Sequence, residues 1–88
     1  MKPTYKKKFL KDVNNLPESL KKTIQKIVFE QIPEANSLFD VKGIKKLKGY
    51  KHFYRIRHSE YRIGIFVQGD RVIFLRVLHR KDIYKYFP

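Results

Sequence analysis

The chain has 88 residues, of which 21 are Lys or Arg and 8 are Asp or Glu, so its formal net charge is +13. Apolar residues make up 42% and Cys is absent, which predicts one globular domain, residues 1–88, without disulfides or Cys-ligated zinc. No apolar run is long enough to cross a bilayer. We expect a cytoplasmic protein that does not bind membranes and whose charge attracts a polyanion such as nucleic acid.

The first part of the chain predicts a helical hairpin. A short edge strand is expected over Lys2 to Tyr5, and a helix begins at Lys6. Pro17 suits the first turn of a second helix, which we expect to end at Pro33. The apolar positions of these helices recur with helical spacing: Phe9, Val13 and Leu16 in the first, and Leu20, Ile24, Ile27 and Val28 in the second.

The second part predicts a sheet. Glu34 to His52 has no sustained periodicity and is interpreted as a long basic loop. Three strands with short connections follow, at residues 53–58, 61–68 and 71–79, and residues 81–88 are expected to hold one helical turn. The predicted fold class is α+β: an N-terminal helical hairpin packed on one face of a small antiparallel sheet of three to four strands.

The segment YRIRHSEYRIGI, residues 54–65, contains Tyr-Arg-Ile twice. Side chains alternate along a strand, so a two-residue loop between the copies places Ile56 opposite Ile63 on the helix-covered face. The same pairing puts Arg57 opposite Arg62 on the open face. An odd loop would instead bury arginines among aliphatic side chains, at a high desolvation cost.

The third strand admits two registers. A two-residue turn at Gly69-Asp70 would carry Ile73, Leu75 and Val77 onto the open face, whereas an odd loop with a glycine bulge places Arg76 there. We favour the odd loop, because it keeps the aliphatic residues in the core and arginine out of it. The open face is then predicted to contain Arg55, Arg57, Arg62 and Arg76, with Phe66 and Phe74 among them and His79 and Arg80 at its edge.

Opposed arginines repel each other, so a face that carries several of them is expected to receive an anion. Guanidinium groups donate paired hydrogen bonds to phosphate, and aromatic rings stack on bases. The eight acids are scattered and the three histidines lack the spacing of a zinc site, so we expect no metal and no cofactor. Metal-free RNA cleavage uses the 2′-hydroxyl as nucleophile, with arginines to stabilise the phosphate and His79, Tyr84 or a lysine for proton transfer.

Two segments, LKGYKHFYRIRHSEYRIGI and VLHRKDIY, resemble the RelE/ParE superfamily of toxins of type II toxin–antitoxin modules, and the RelE branch in particular. The helical hairpin and the length are similar as well. The resemblance implies a compact RelE-like fold and a ribosome-dependent endoribonuclease that cleaves mRNA in the A site and so inhibits translation. It also implies a cognate antitoxin, for which we expect an acidic chain. The isolated toxin is expected to be a monomer that forms a hetero-oligomer with the antitoxin.

The family motif also implies roles for individual residues. Arg62 matches the phosphate-stabilising arginine, Arg80 the arginine near the leaving group, and Tyr84 the tyrosine that stacks on or orients the substrate. Lysines of the long loop are then expected to contact ribosomal RNA: Lys42, Lys45, Lys46, Lys48 and Lys51.

The general base is a departure from the family pattern. Arg55 and Arg57 stand where the RelE-type toxins carry lysines, one of which is proposed as the base, and an arginine stays protonated. His79 becomes a candidate, because related branches use a histidine near this end of the chain.

Two other functions are compatible with the sequence. One is a ParE-like toxin that acts on DNA gyrase, although the combination of Arg62, Arg80 and Tyr84 is unusual for that branch. The other is a basic RNA-binding domain without catalytic activity, which predicts strong, salt-dependent RNA binding but no growth arrest.

Overall fold

The computed structural model describes all residues from Met1 to Pro88. The helices are α1 (Lys7–Asn14), α2 (Glu18–Lys26), α3 (Ile32–Glu34) and α4 (Ile83–Tyr86), and a π-helical segment (Ile27–Gln31) joins α2 to α3. The strands are β1 (Lys2–Tyr5), β2 (Ile44–Lys46), β3 (Phe53–His58), β4 (Tyr61–Gln68) and β5 (Arg71–His79). None of the helices combines the length and the apolar composition needed to cross a membrane.

The five strands form one sheet in the order β1-β5-β4-β3-β2. The pairs β2–β3, β3–β4 and β4–β5 are antiparallel, and β1 pairs with β5 in parallel. The predicted α+β class is confirmed, as are the first strand, the helical hairpin and the three-strand meander. The sheet has five strands, where the sequence predicted three to four.

The helical hairpin covers one face of the sheet and builds the core there. Phe9 and Val13 of α1 and Ile24 of α2 are buried against inward-facing residues of the strands, such as Ile56 and Ile63. Burying such side chains is worth about 1.5–3 kcal/mol each, which makes this layer the main source of stability. The second helix continues to Glu34, one residue beyond Pro33, where we predicted its end.

Strand β2 lies inside the segment that we predicted to be a loop without strands. Its three residues pair with β3, with Ile44 opposite Ile56 and Lys45 opposite Arg55. Gly43 precedes the strand with a φ of +82°, and its carbonyl accepts a hydrogen bond from the Arg57 amide. A Cβ atom at position 43 would stand 2.7 Å from the Arg57 carbonyl oxygen, so glycine is required for this close approach.

The predicted odd loop before β5 is wrong. Gln68 pairs with Arg71, so Gly69-Asp70 is a two-residue turn, and Gly69 has the positive φ (+60°) that its first position requires. The one-residue shift in register occurs further along β5, at a β-bulge. Leu75 is the extra residue there, between the pairs Gly64–Arg76 and Ile65–Phe74.

The bulge changes which residues of β5 reach the core. Val77 is buried as predicted, and Phe74 is buried as well, although we placed Phe74 among the arginines. Ile73 lies opposite Phe66, outside the core, and Leu75 is only half-buried. The register of β5 therefore agrees with the prediction only after the bulge.

The C-terminal segment covers part of the face that the sequence analysis left open. Ile83 and Phe87 are buried, while Tyr84 and Tyr86 are 59% and 60% exposed. The ring of Phe87 packs on the Gly64 backbone and at 5.9 Å from the ring of Phe53. The segment thus forms a small second apolar cluster and presents its tyrosines beside the arginines of the sheet.

Candidate nucleic-acid interface

Three arginines of β3 and β4 share one face of the sheet. Arg57 lies directly opposite Arg62, and Arg55 lies opposite Gly64, as the two-residue loop between the Tyr-Arg-Ile copies predicted. The loop residue Ser59 has a φ of +55°. Together with Arg80, which follows β5, these residues form what we call the arginine surface: Arg55, Arg57, Arg62 and Arg80.

Arg62 is the centre of the arginine surface. Its Nη1 donates hydrogen bonds to the carbonyl oxygens of Ser59 (3.1 Å) and Tyr61 (3.0 Å), which fold the guanidinium back over its own turn. Burial lowers the pKa of Arg62, and the charges of the other three arginines lower it further, whereas Tyr84 acts in the opposite direction. The folded chain therefore disfavours the positive charge of Arg62, and a bound anion would relieve this cost.

Arg80 and Tyr84, which follow β5 in the chain, both act electrostatically on Arg62. Arg80 forms an exposed ion pair with Glu60, 2.7 Å between Nε and Oε2, and its amide donates to the Glu60 carbonyl. Glu60 is the only acid between residues 42 and 62, and sequence reasoning gave it no role. Its position in the loop before Arg62 was the signal that it could hold a neighbouring cation.

His79 lies on the opposite face from Arg62. It pairs with Tyr61 at the end of β5, and the two rings contact edge to face at 5.5 Å between centroids, where Tyr61 packs against the helix-side core. Its Nδ1 accepts a hydrogen bond from the Lys81 amide (3.1 Å). The structure does not bring His79 onto the arginine surface, and its acceptor nitrogen is already occupied.

Arg76 was predicted to lie on the open face and bind RNA, but in the structure its side chain is paired with an acid. It starts opposite Gly64, but its side chain turns at the sheet edge towards α1, where Nε and Nη2 donate to Asp12 at 2.7 and 3.0 Å. Asp12 also accepts from the Val77 amide (3.2 Å). The pair is mostly buried, with side-chain exposures of 18% for Arg76 and 10% for Asp12. Hydrogen bonding to Asp12 raises the pKa of Arg76.

The loop lysines separate into three places. Lys45, Lys46 and Lys48 line a hollow of about 470 Å³ beside the arginine surface, which we call the front hollow. Its other lining residues are Leu47, Tyr50, Arg55, Tyr84, Phe87 and Pro88. Lys51 lines a smaller neighbouring hollow, whereas Lys42 lies in a groove between α2 and β3 on the helix side.

Lys45 is the lysine that is closest in register to the arginines. It lies opposite Arg55 across β2 and β3, on the same face, because β2 pairs with β3. Sequence reasoning could not place it there, since β2 was not predicted. The acids and histidines of the chain form no group of three or more that could hold a metal ion.

The arrangement is suited to binding a phosphodiester next to unpaired bases. Guanidinium groups donate paired hydrogen bonds to phosphate oxygens, and lysines add point charges. Tyr84 and Tyr50, both more than half exposed, offer rings on which bases can stack.

Comparisons with known proteins show which family the chain belongs to. Residues 4–84 match the model of the family described as ParE toxin of type II toxin-antitoxin system, parDE. The chain is 53% identical over 89 residues to “Toxin RelE3” of Methanocaldococcus jannaschii, with 100% of both chains covered. The chain therefore belongs to the RelE/ParE superfamily of type II toxin–antitoxin toxins.

Solved structures support the same assignment. The toxin chain in the crystal structure of a RelB-RelE antitoxin-toxin complex from Methanococcus jannaschii is 49% identical, with a TM-score of 0.80 over 97% of this chain and 99% of that one. The isolated E. coli RelE toxin has the same fold at 20% identity, with a TM-score of 0.66 over 89% of this chain and 82% of that one.

Proposed function

We propose that this toxin is a ribosome-dependent endoribonuclease that cleaves mRNA in the ribosomal A site without a metal ion. The observation that carries the proposal is the clustering of three further arginines around Arg62: Arg55 and Arg57 share its face across β3 and β4, and Arg80 follows β5. No acid lies among them except Glu60, the partner of Arg80. Such a surface is costly without an anion and is stabilised by one.

In the proposed reaction, the 2′-oxygen of the nucleotide attacks the adjacent phosphorus and the bond to the 5′-oxygen breaks. The 2′-hydroxyl proton passes to a base, and the departing 5′-oxygen takes a proton from an acid. Arg62 holds the charge that develops on the phosphate oxygens, and Arg80 lies by the leaving group. Tyr84 stacks on or orients the substrate base. The products are a 2′,3′-cyclic phosphate and a free 5′-hydroxyl.

The proton transfers are assigned to groups in the front hollow, beside the arginine surface. Arg55 and Arg57 bind phosphate, because an arginine cannot accept a proton at neutral pH. His79 faces the helices and is not used in this scheme. The proposal therefore assigns the proton transfers to Lys45, which lies opposite Arg55, and to Tyr84; both line the front hollow.

The proposed partner is a cognate antitoxin with acidic character. The relative solved as a RelB-RelE antitoxin-toxin complex supports the existence of such a partner. The net charge of +13 favours an acidic one, because complementary charge speeds association and suppresses wrong partners. The proposed free toxin is a monomer that forms a hetero-oligomer with the antitoxin.

The test is primer extension on mRNA isolated from a translation reaction with purified toxin. Wild type is expected to give cuts in phase with codons, on ribosome-bound message only. Arg62→Ala is expected to lose activity by about 10²–10³-fold, as for removal of one anion-stabilising donor. Arg71→Ala is the matched control, because Arg71 is exposed at the start of β5, away from this surface.

The outcomes separate the alternatives. The proposal is contradicted if the wild-type toxin makes no cuts. It is also contradicted if the Arg62→Ala variant cuts as well as the wild type does. If the same protein instead inhibits supercoiling by purified gyrase, the ParE-like function replaces it. If it binds RNA tightly but neither cuts nor arrests growth, it is a binding domain.

A further inference from the structure

A second basic hollow adjoins the C-terminal segment at the edge of β5. It has a volume of about 480 Å³, and its lining includes Lys6, Lys7, Lys8, Arg76, Tyr86 and Pro88. We call it the side hollow. It shares Phe87 and Pro88 with the front hollow, so the end of the chain forms a ridge between the two.

The three lysines of the side hollow carry charge that the chain does not balance. Lys6, Lys7 and Lys8 are exposed, and none of them forms an ion pair within the chain. They lie at the start of α1, whose first turn contains no acid. A cation at this end of a helix also interacts unfavourably with the helix dipole. Their repulsion is therefore a cost that an external anion would offset.

Tyr86 adds an aromatic ring to this positive surface. The Arg76 guanidinium lies over the ring, 5.2 Å from its centroid, and Asp12 holds Arg76 in place through two hydrogen bonds. The ring is nevertheless 60% exposed, so part of it is available to a ligand. Arg76 thus positions Tyr86 and does not itself have to contact the ligand.

The two hollows are built in the same way. Each combines three lysines with an exposed tyrosine of the C-terminal segment, Tyr84 in the front hollow and Tyr86 in the side hollow. Aromatic rings among closely spaced cations are the usual means of binding single-stranded nucleic acid without strict sequence preference. Such repetition on both sides of one ridge favours a ligand that is itself repetitive, with alternating phosphates and bases.

We propose that the side hollow is a second RNA subsite, which binds a nucleotide of the same strand beyond the segment held by the front hollow. The base stacks on Tyr86, and the flanking phosphates are bound by Lys6, Lys7 and Lys8. The inference deepens the proposed function, because it extends the contact of that site with its RNA. It can be tested by binding alone, without cleavage.

The charge contribution is measured by fluorescence anisotropy with labelled 2′-O-methyl RNA, which lacks the nucleophilic hydroxyl, of about 4 and about 12 nucleotides. The Lys7→Gln/Lys8→Gln variant is expected to reduce the slope of log K against log salt by about 1.4 for the longer RNA, at about 0.7 per phosphate contact. Lys22→Gln/Lys26→Gln is the matched control, since both lysines are exposed on α2 and line neither hollow.

The stacking contribution is measured with Tyr86→Leu and Tyr86→Phe. Leu removes the aromatic ring, so the longer RNA is expected to bind roughly tenfold more weakly, while Phe retains wild-type affinity. The shorter RNA can occupy the front hollow alone and is expected to bind all three proteins similarly. Urea unfolding of each variant confirms that the fold is retained.

The inference is overturned if the two lysine pairs change the salt slope equally, or if Tyr86→Leu and Tyr86→Phe bind the longer RNA alike. If the Lys7→Gln/Lys8→Gln variant lowers the salt slope but Tyr86→Leu leaves RNA affinity unchanged, the RNA subsite is contradicted. Lys6, Lys7 and Lys8 would then bind a different polyanion, such as an acidic protein. These results are independent of cleavage: a length-dependent loss of binding supports the subsite even if the wild type proves inactive on ribosomes.

Discussion

Phe87 lies with its ring against the backbone of Gly64, so close that a Cβ atom at position 64 would stand 2.6 Å from the ring. This contact docks the C-terminal segment on the sheet and so fixes Tyr84 next to Arg62. Gly64 is therefore needed for the space it leaves, and not for an unusual backbone angle. The position of Tyr84, the proposed substrate-binding tyrosine, therefore depends on the absence of a side chain at position 64 in β4.

The substitution Gly64→Ala tests this dependence. The added methyl group displaces the Phe87 ring, and we expect the free energy of unfolding to fall by about 1–3 kcal/mol, as for other overpacked sites. In a Phe87→Ala background the same substitution should cost much less, because the ring is gone. Urea unfolding of the four proteins gives the coupling. Equal costs in both backgrounds would contradict a direct contact.

The mostly buried Asp12–Arg76 ion pair predicts a large loss of stability when its carboxylate is replaced by an amide. Asp12→Asn leaves the mostly buried Arg76 charge without a carboxylate, which typically costs about 3 kcal/mol or more of unfolding free energy. Glu60→Gln is the matched control, because it removes the carboxylate of the exposed Arg80 pair and should cost less than about 1 kcal/mol. Both are measured by urea unfolding. Similar losses for the two variants would show that burial does not distinguish these pairs.

Local sequence signals were sufficient for most of the fold. The hairpin helices were predicted from the spacing of residues such as Phe9 and Val13, and the β3–β4 register from the two Tyr-Arg-Ile copies. In both cases one element buries one face, so the apolar pattern alone determines the orientation. The class of the protein followed from the same segments.

The features that were missed depend on distant parts of the chain. Strand β2 has only three residues, too few to show a period, and it forms because β3 offers a free edge. The bulge at Leu75 has no glycine or proline on its own strand, and Gly64, which lies beside it on β4, was not interpreted as a bulge signal. Arg76 meets Asp12 across 64 positions of sequence, which no local pattern reveals. The availability of Arg76 depended on this long-range contact, whereas the face of His79 follows by strand alternation from that of Arg76, three residues earlier.

Arg57 lies directly opposite Arg62, so removing its charge is predicted to stabilise the fold and to weaken RNA binding. Like charges directly opposed across strands cost about 0.2–1 kcal/mol, so Arg57→Gln should raise the free energy of unfolding by a few tenths of a kcal/mol at low salt. The same variant should bind RNA more weakly. At about 1 M salt the gain in stability should vanish, because the Debye length falls to about 3 Å. A gain that persists in high salt would point to a cause other than charge repulsion.

Tyr5 predicts a pH dependence of stability. Its hydroxyl donates a 2.6 Å hydrogen bond to the Val28 carbonyl, and burial raises its pKa above the ordinary value of 10.0. The folded state therefore holds this proton more tightly than the unfolded state, and the resulting stability is complete below about pH 10 and is lost as pH rises through the folded-state pKa. At neutral pH, Tyr5→Phe should cost about 1 kcal/mol, from loss of the hydrogen bond.

Comparing wild type with Tyr5→Phe by urea unfolding isolates this contribution from the other tyrosines and lysines, which both proteins share. From about pH 7 to about pH 9 the difference in unfolding free energy should be constant, and above about pH 10 it should shrink, because only the wild type must then bury a phenolate or keep it protonated. A difference that stays constant to about pH 11 would mean that the Tyr5 hydroxyl is no more buried in the folded chain than in the unfolded one.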